Sequence, residues 1–139
     1  MRKAPAVVDT DVASAVFREH YLGYQLPGGL AATLDNRRLA ISLITFGEAY
    51  FGARKAKWGP KRVVRMVRFY RESFFVVDVA GEDIAATYGH LRASTEAVGQ
   101  PLAPNDLWIA ACASVNGLPV ITLNQRHFEP LRIFGVTLL

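Results

Sequence analysis

Cysteine is all but missing from this chain: Cys112 is the only one. A lone thiol excludes an internal disulfide and fits a reducing compartment, so a cytoplasmic location is expected. Long apolar runs are missing as well. None approaches the roughly 18–20 residues that cross a bilayer, and the basic start has too brief an apolar run before Asp9 for a signal peptide. Repeats, low-complexity segments and linkers are absent. The 139 residues therefore read as one domain, 1–139, large enough to bury an ordinary core. What is present is a globular composition, 51% apolar and 20% charged, with a net charge of +4. That modest basic bias favours an anionic partner without identifying one.

Apolar, β-branched runs alternate with helical periodicity along the chain. Val7–Val8 closes a first strand. The next helix carries Val12, Ala15, Val16 and the stem of Glu19 on one face. Pro27-Gly28-Gly29 breaks the chain before a short second helix that ends near Asn36. LAISLI, residues 39–44, predicts a second strand, FFVVDV, 74–79, a third and LPVITLN, 118–124, a fourth; FGVTLL, 134–139, allows a fifth. Between them lie a helix over TFGEAYFGARKAKWG, another over PKRVVRMVRFYRES with Pro60 in its first turn, a long helix with Ile84, Ala85, Tyr88 and Leu91 on one face that ends at Gly99, and a helix started by Pro104-Asn105 and stopped by Gly117. Strands alternating with helices predict an α/β fold, a mainly parallel sheet of four or five strands with helices on both faces.

In such a sheet the loops after the strands open on one edge, where ligand sites form. Asp9 and Asp11 follow the first strand, Glu48 the second and Asn124 the fourth, while Asp106 opens the helix leading into the fourth. Oxygen donors without a cysteine–histidine cluster favour a hard cation, Mg²⁺ or Mn²⁺, over zinc. Such an ion polarises a phosphoryl oxygen and supplies a hydroxide for in-line attack. Each acid also has a purely structural reading. Asp9 suits a helix N-cap, Asp11 the positive end of a helix dipole, and Thr45-Phe46-Gly47-Glu48 has the form of a capping box that places Glu48 in the first turn. Asp106 follows Asn105, a good cap. On the residues alone the two readings stand level.

The run of an apolar strand into DTDV, then ISLITFGEAYFGA, then PNDLWIAACASVNGLPVITLNQRHFEPL resembles the PIN-domain ribonucleases, the VapC-type toxins of bacterial toxin–antitoxin systems in particular. The resemblance spans nearly the whole chain and is most specific from Asn105 to Phe128. It implies a parallel sheet covered by helices and a cluster of acidic or polar residues binding Mg²⁺ or Mn²⁺. Carried over residue by residue, the acids of that cluster fall on Asp9, Glu48 and Asp106, with Asn124 completing the catalytic set and Thr122 beside it. Two positions depart from the family's pattern. Asp11 stands where Asn is usual, and His127 stands where many members carry a further acid. The resemblance also implies RNA as substrate, a VapB-type antitoxin as partner, and a homodimer within the toxin–antitoxin complex.

Eight basic residues and no acid lie between Arg54 and Arg71. Arg65, Arg68 and Arg71, spaced by three on a helix, are candidates for contact with RNA or antitoxin, together with Thr122 and His127; a solvated face is the plainer explanation. Two rivals to a metal-dependent endoribonuclease remain. A PIN-like RNA-binding or interaction module without cleavage is favoured by the missing further acid. A haloacid-dehalogenase-type phosphatase is favoured by the D-x-D of Asp9 and Asp11, but Ala13 stands where that class has Thr and no later acid pair closes a strand.

Overall fold

A computed structural model describes residues 2–77 and 80–139. Four strands, β1 (Lys3–Val8), β2 (Arg37–Ser42), β3 (Phe75–Val77) and β4 (Val120–Ile121), form one parallel sheet in the order β3-β2-β1-β4. Between and around them run α1 (Thr10–Leu22), α2 (Leu30–Leu34), α3 (Leu43–Lys55), α4 (Pro60–Ser73), α5 (Glu82–Ala97), α6 (Pro104–Val115) and α7 (Gln125–Phe128), followed by a 3₁₀ turn at Glu129–Phe134.

Strand alternation divides the core into two layers. Val7, Ala40 and Val120 face one side and pack with α5 and α6 through Leu91, Leu107 and Ile109. Val8, Ile41 and Ile121 face the other and pack with α1, α3 and α4 through Phe17, Phe46 and Met66. Burial on both faces is why these strands are continuous apolar runs rather than alternating ones. Pro5, which has no N–H for a ladder, falls where the β1–β2 register slips between Lys3 and Ala6.

Several boundaries differ from the sequence expectations. The second strand runs over Arg37–Ser42, because the buried Ser42 hydroxyl accepts the Thr45 N–H and starts α3 at Leu43. Thr45 and Glu48 therefore form no capping box, and Glu48 sits beyond the first turn. Helix α6 does begin at Pro104, but its cap is Ala103, so neither Asn105 nor Asp106 is the N-cap. The buried side of α1 is Val12, Ala13, Ala15 and Phe17, with Glu19 exposed, because the Phe17 ring outcompetes a glutamate stem for the core. On α5, Ala85 is exposed while Ile84, Leu91 and Thr95 are buried. The predicted fifth strand is reduced to a single bridge between Val120 and Leu138. Asp78 and Val79, at the end of the predicted third strand, lie outside the described residues.

Candidate functional site

Strand β1 delivers Asp9 to the C-terminal edge of the sheet, with its N–H donated to the Ile121 carbonyl at 3.1 Å. Its side chain is 4% exposed and does two things at once. Oδ1 accepts the Val12 N–H at 2.9 Å, capping α1, and Oδ2 accepts the Thr122 hydroxyl proton at 2.5 Å. The capping reading of Asp9 is therefore correct, and it coexists with a place in the acid cluster. Thr122 is fixed in turn, its Oγ1 accepting the Asn124 N–H at 2.9 Å.

The next residue ties α1 to α3. Thr10 Oγ1 donates to Glu48 Oε1 at 2.7 Å and lies 3.1 Å from Thr45 Oγ1. Because Thr10 has one hydroxyl proton and Glu48 takes it, Thr45 is the donor in the second contact. On the other side of the edge Asp106, at the third position of α6, meets His127 of α7, with Nε2 3.0 Å from Oδ2.

Electrostatics places these groups in one field. The Asp9 carboxyl is pushed up to about 6, first by burial and further by the charges of Asp11 and Asp106; the hydrogen bonds from Thr122 and Val12 oppose the rise. Burial also raises Asp106, with Glu48 and Asp11 adding to the rise and His127 opposing it. Asp106 thus feels Glu48 and Asp11, and Asp9 feels Asp11 and Asp106. Among the described residues His127 is the only ion-pair partner that any of them has.

A group of anions without a matching lysine or arginine suits a cation, and the donors are all oxygens, the set a hard divalent ion takes. Among the described residues no three Asp, Glu, His or Cys side chains stand close enough to grip one ion directly. That geometry still fits Mg²⁺, which keeps several waters and uses one or two carboxylates.

Asn124 differs from its neighbours. Its backbone braces Thr122, but its side chain is exposed and makes no hydrogen bond to the acids.

A groove of about 230 Å³ opens from the Thr10–Glu48 end of the site between α1, α3 and α4, floored by Phe17, Trp58, Met66 and Tyr70. It shares Phe17 and Leu22 with a second hollow of about 290 Å³ edged by Arg62 and Arg65. Arg18 lines the first hollow and lowers the pKa of Tyr70, whose hydroxyl burial nonetheless lifts to about 12. Sequence reasoning gave Arg18 no role, although its place on α1, nine residues past Asp9, puts it on the same helix as the site. Of the three arginines spaced by three, Arg65 edges the second hollow, whereas Arg68 and Arg71 lie farther round α4, away from buried Met66 and Tyr70.

The comparisons with known proteins agree with this fold. The tRNA(fMet)-specific endonuclease VapC of Salmonella typhimurium is 36% identical over 103 residues, 74% of this chain and 75% of that protein. The crystal structure of DNA-bound VapBC from Salmonella typhimurium has a TM-score of 0.73 and 30% identity, covering 100% of this chain and 98% of the other. VapBC2 from Rickettsia felis, bound to a promoter DNA fragment, has a TM-score of 0.78 at 23% identity, covering 99% and 98%, a likeness of fold. The PIN domain family model matches residues 6–131, a span that includes Asp9, Glu48 and Asp106, and the chain belongs to that family.

Proposed function

We propose that this chain is a Mg²⁺-dependent endoribonuclease, the toxic partner of a type II toxin–antitoxin pair, acting in the cytoplasm as a single PIN domain over 1–139. The observation that carries the reading is the convergence of Asp9, Glu48 and Asp106, from three separated segments, on one edge with no lysine or arginine paired to them among the described residues. The names of the relatives, ribonuclease and tRNA(fMet)-specific endonuclease, support the substrate class.

Asp9, Glu48 and Asp106 would surround Mg²⁺, or Mn²⁺ in its place, one or two of them bound directly and the rest through the ion's waters. When bound, the ion polarises the scissile phosphoryl group and lowers the pKa of the attacking water. The chain's own residues fix the geometry. Thr122 and the Val12 N–H lock both oxygens of Asp9, and Thr10 orients Glu48, so little reorganisation is left for the reaction. Asn124 contributes through the Thr122 hydroxyl that its backbone braces, with its exposed side chain free to meet the strand. Arg18 in the groove leading away from the acids, and Arg62 and Arg65 in the adjoining hollow, suit a chain of phosphates.

A VapB-type antitoxin is the partner that the VapBC structures support. Leu43, Tyr50 and Phe51, exposed along one side of α3, support a homodimer within that complex.

The test is a panel of structured RNAs incubated with purified protein in Mg²⁺, and in chelator. Cleavage in Mg²⁺ that stops on chelation, and on addition of a cognate VapB-type antitoxin, is expected. RNA bound but left intact in Mg²⁺ and in Mn²⁺ refutes the enzyme and leaves the binding module.

A further inference from the structure

Three of the acids have a side-chain hydrogen-bond donor of their own: Thr122 for Asp9, Thr10 for Glu48, and His127 for Asp106. The third donor differs in kind. A threonine hydroxyl swings, whereas an imidazole is a rigid plate whose nitrogens point along fixed directions.

We infer that His127 is a positioning residue for Asp106, holding Oδ2 through Nε2–H so that Oδ1 is the oxygen left to face a cation. The inference rests on the reading of Asp9, Glu48 and Asp106 as a metal site.

A carboxylate offers only lone pairs, so the ring nitrogen 3.0 Å away must carry the proton. Both backbones behind the pair are fixed. Asp106 precedes Leu107, 1% exposed, and the apolar run that seats α6 in the core. His127 belongs to a single-turn helix whose Phe128 is 1% exposed, and the Asn124 carbonyl accepts the N–H groups of His127 and Phe128 at 3.1 and 3.2 Å. The His127 ring also stands edge-on to Phe128, centroids 5.9 Å apart, which limits its rotation. Without His127, Asp106 would be a half-buried side chain with no hydrogen-bond partner, free to turn either oxygen or neither toward the ion. Partners of metal-ligating carboxylates are typically worth about 10- to 100-fold in metal affinity.

A rival role for His127 is direct ligation. The nitrogen that faces the acids is already engaged by Asp106, which favours positioning.

The experiment is Mn²⁺ titration by calorimetry on the parent, His127→Ala and His127→Gln, with RNA cleavage and metal-free melting curves beside it. Gln carries an amide N–H near the place of Nε2–H but no imidazole. Positioning predicts that His127→Ala weakens Mn²⁺ binding about 10-fold or more, that His127→Gln restores most of it, and that cleavage follows the same order while metal-free melting stays level. Unchanged Mn²⁺ affinity in His127→Ala overturns the inference while leaving the metal site standing. Equal loss in both variants overturns it in favour of direct ligation. Absence of Mn²⁺ binding by the parent removes the metal site itself.

Discussion

Replacing Asp9 with Asn should stabilise the metal-free protein, and by an amount that depends on pH. Burial lifts the Asp9 carboxyl from 3.8 to about 6. Below the lower value both folded and unfolded chains hold the proton, and the group contributes nothing. Between the two values the unfolded chain ionises first, so the parent loses stability as pH rises, and above 6 the loss is complete. A shift of that size corresponds to about 3 kcal/mol. Asp9 is 4% exposed, so little solvent screening reduces it. Asn keeps the oxygen that caps α1 at Val12, and its amide can donate to the Thr122 hydroxyl once that group turns. Denaturant melts of both proteins in chelator, at several pH values from 4.5 to 7.5, should show Asp9→Asn pulling ahead by about 1 kcal/mol at the acid end and about 3 at neutrality. Adding Mg²⁺ should close the gap, because the cation stabilises only the parent's carboxylate. A difference that does not change with pH would refute the reasoning, since Asp9 would then be neutralised by a partner and have no unmet need for a cation.

Asp106→Asn should fold at least as well as the parent without metal, gain less from Mg²⁺ in a thermal melt, and cleave RNA about 10²-fold more slowly or worse; full activity would remove Asp106 from the site. Neutralising Arg65, Arg68 and Arg71 together should weaken RNA binding and flatten its salt dependence. Arg65→Ala alone should account for about one unit of slope and the Arg68/Arg71 pair for little, as filter binding at several salt concentrations will show. Ser42→Ala should cost about 1 kcal/mol in a urea melt through loss of the α3 cap, while Glu48→Gln leaves that cap intact; the opposite pattern would restore the capping box.

Much of the site was legible because parallel-sheet topology converts sequence position into spatial position. An acid just past an apolar strand must sit at the carboxyl edge, and Asp9 does. Glu48 reached that edge for a reason the sequence misassigned: the capping-box pattern starts at Thr45, but the fold uses Ser42, whose serine is indistinguishable from a strand terminus by periodicity alone. The bond from Thr10 to Glu48 and the pair of His127 with Asp106 join residues 38 and 21 positions apart. No local rule forecasts such pairs, since they depend on how helices seat against the sheet. Arg18 looked isolated for the same reason, because its neighbours in the groove come from α3 and α4. Asn124 shows the opposite error, a residue placed at the right edge whose backbone, rather than its side chain, joins the hydrogen bonds around Asp9.

The hydrogen bond between Thr122 and Asp9 closes a loop of 113 residues, and β4, the strand that carries Thr122 to the edge, pairs with β1 and bridges to Leu138. During synthesis the ribosome therefore releases β1 long before its second neighbour exists. A nascent chain that has emerged only as far as α6 exposes one side of β1 and leaves Asp9 without Thr122 and Asp106 without His127. Long-range closure of this kind comes late in folding. A growing polypeptide of this sequence thus lacks the bonds that fix Asp9 and Asp106 until residues 122 and 127 have left the ribosome.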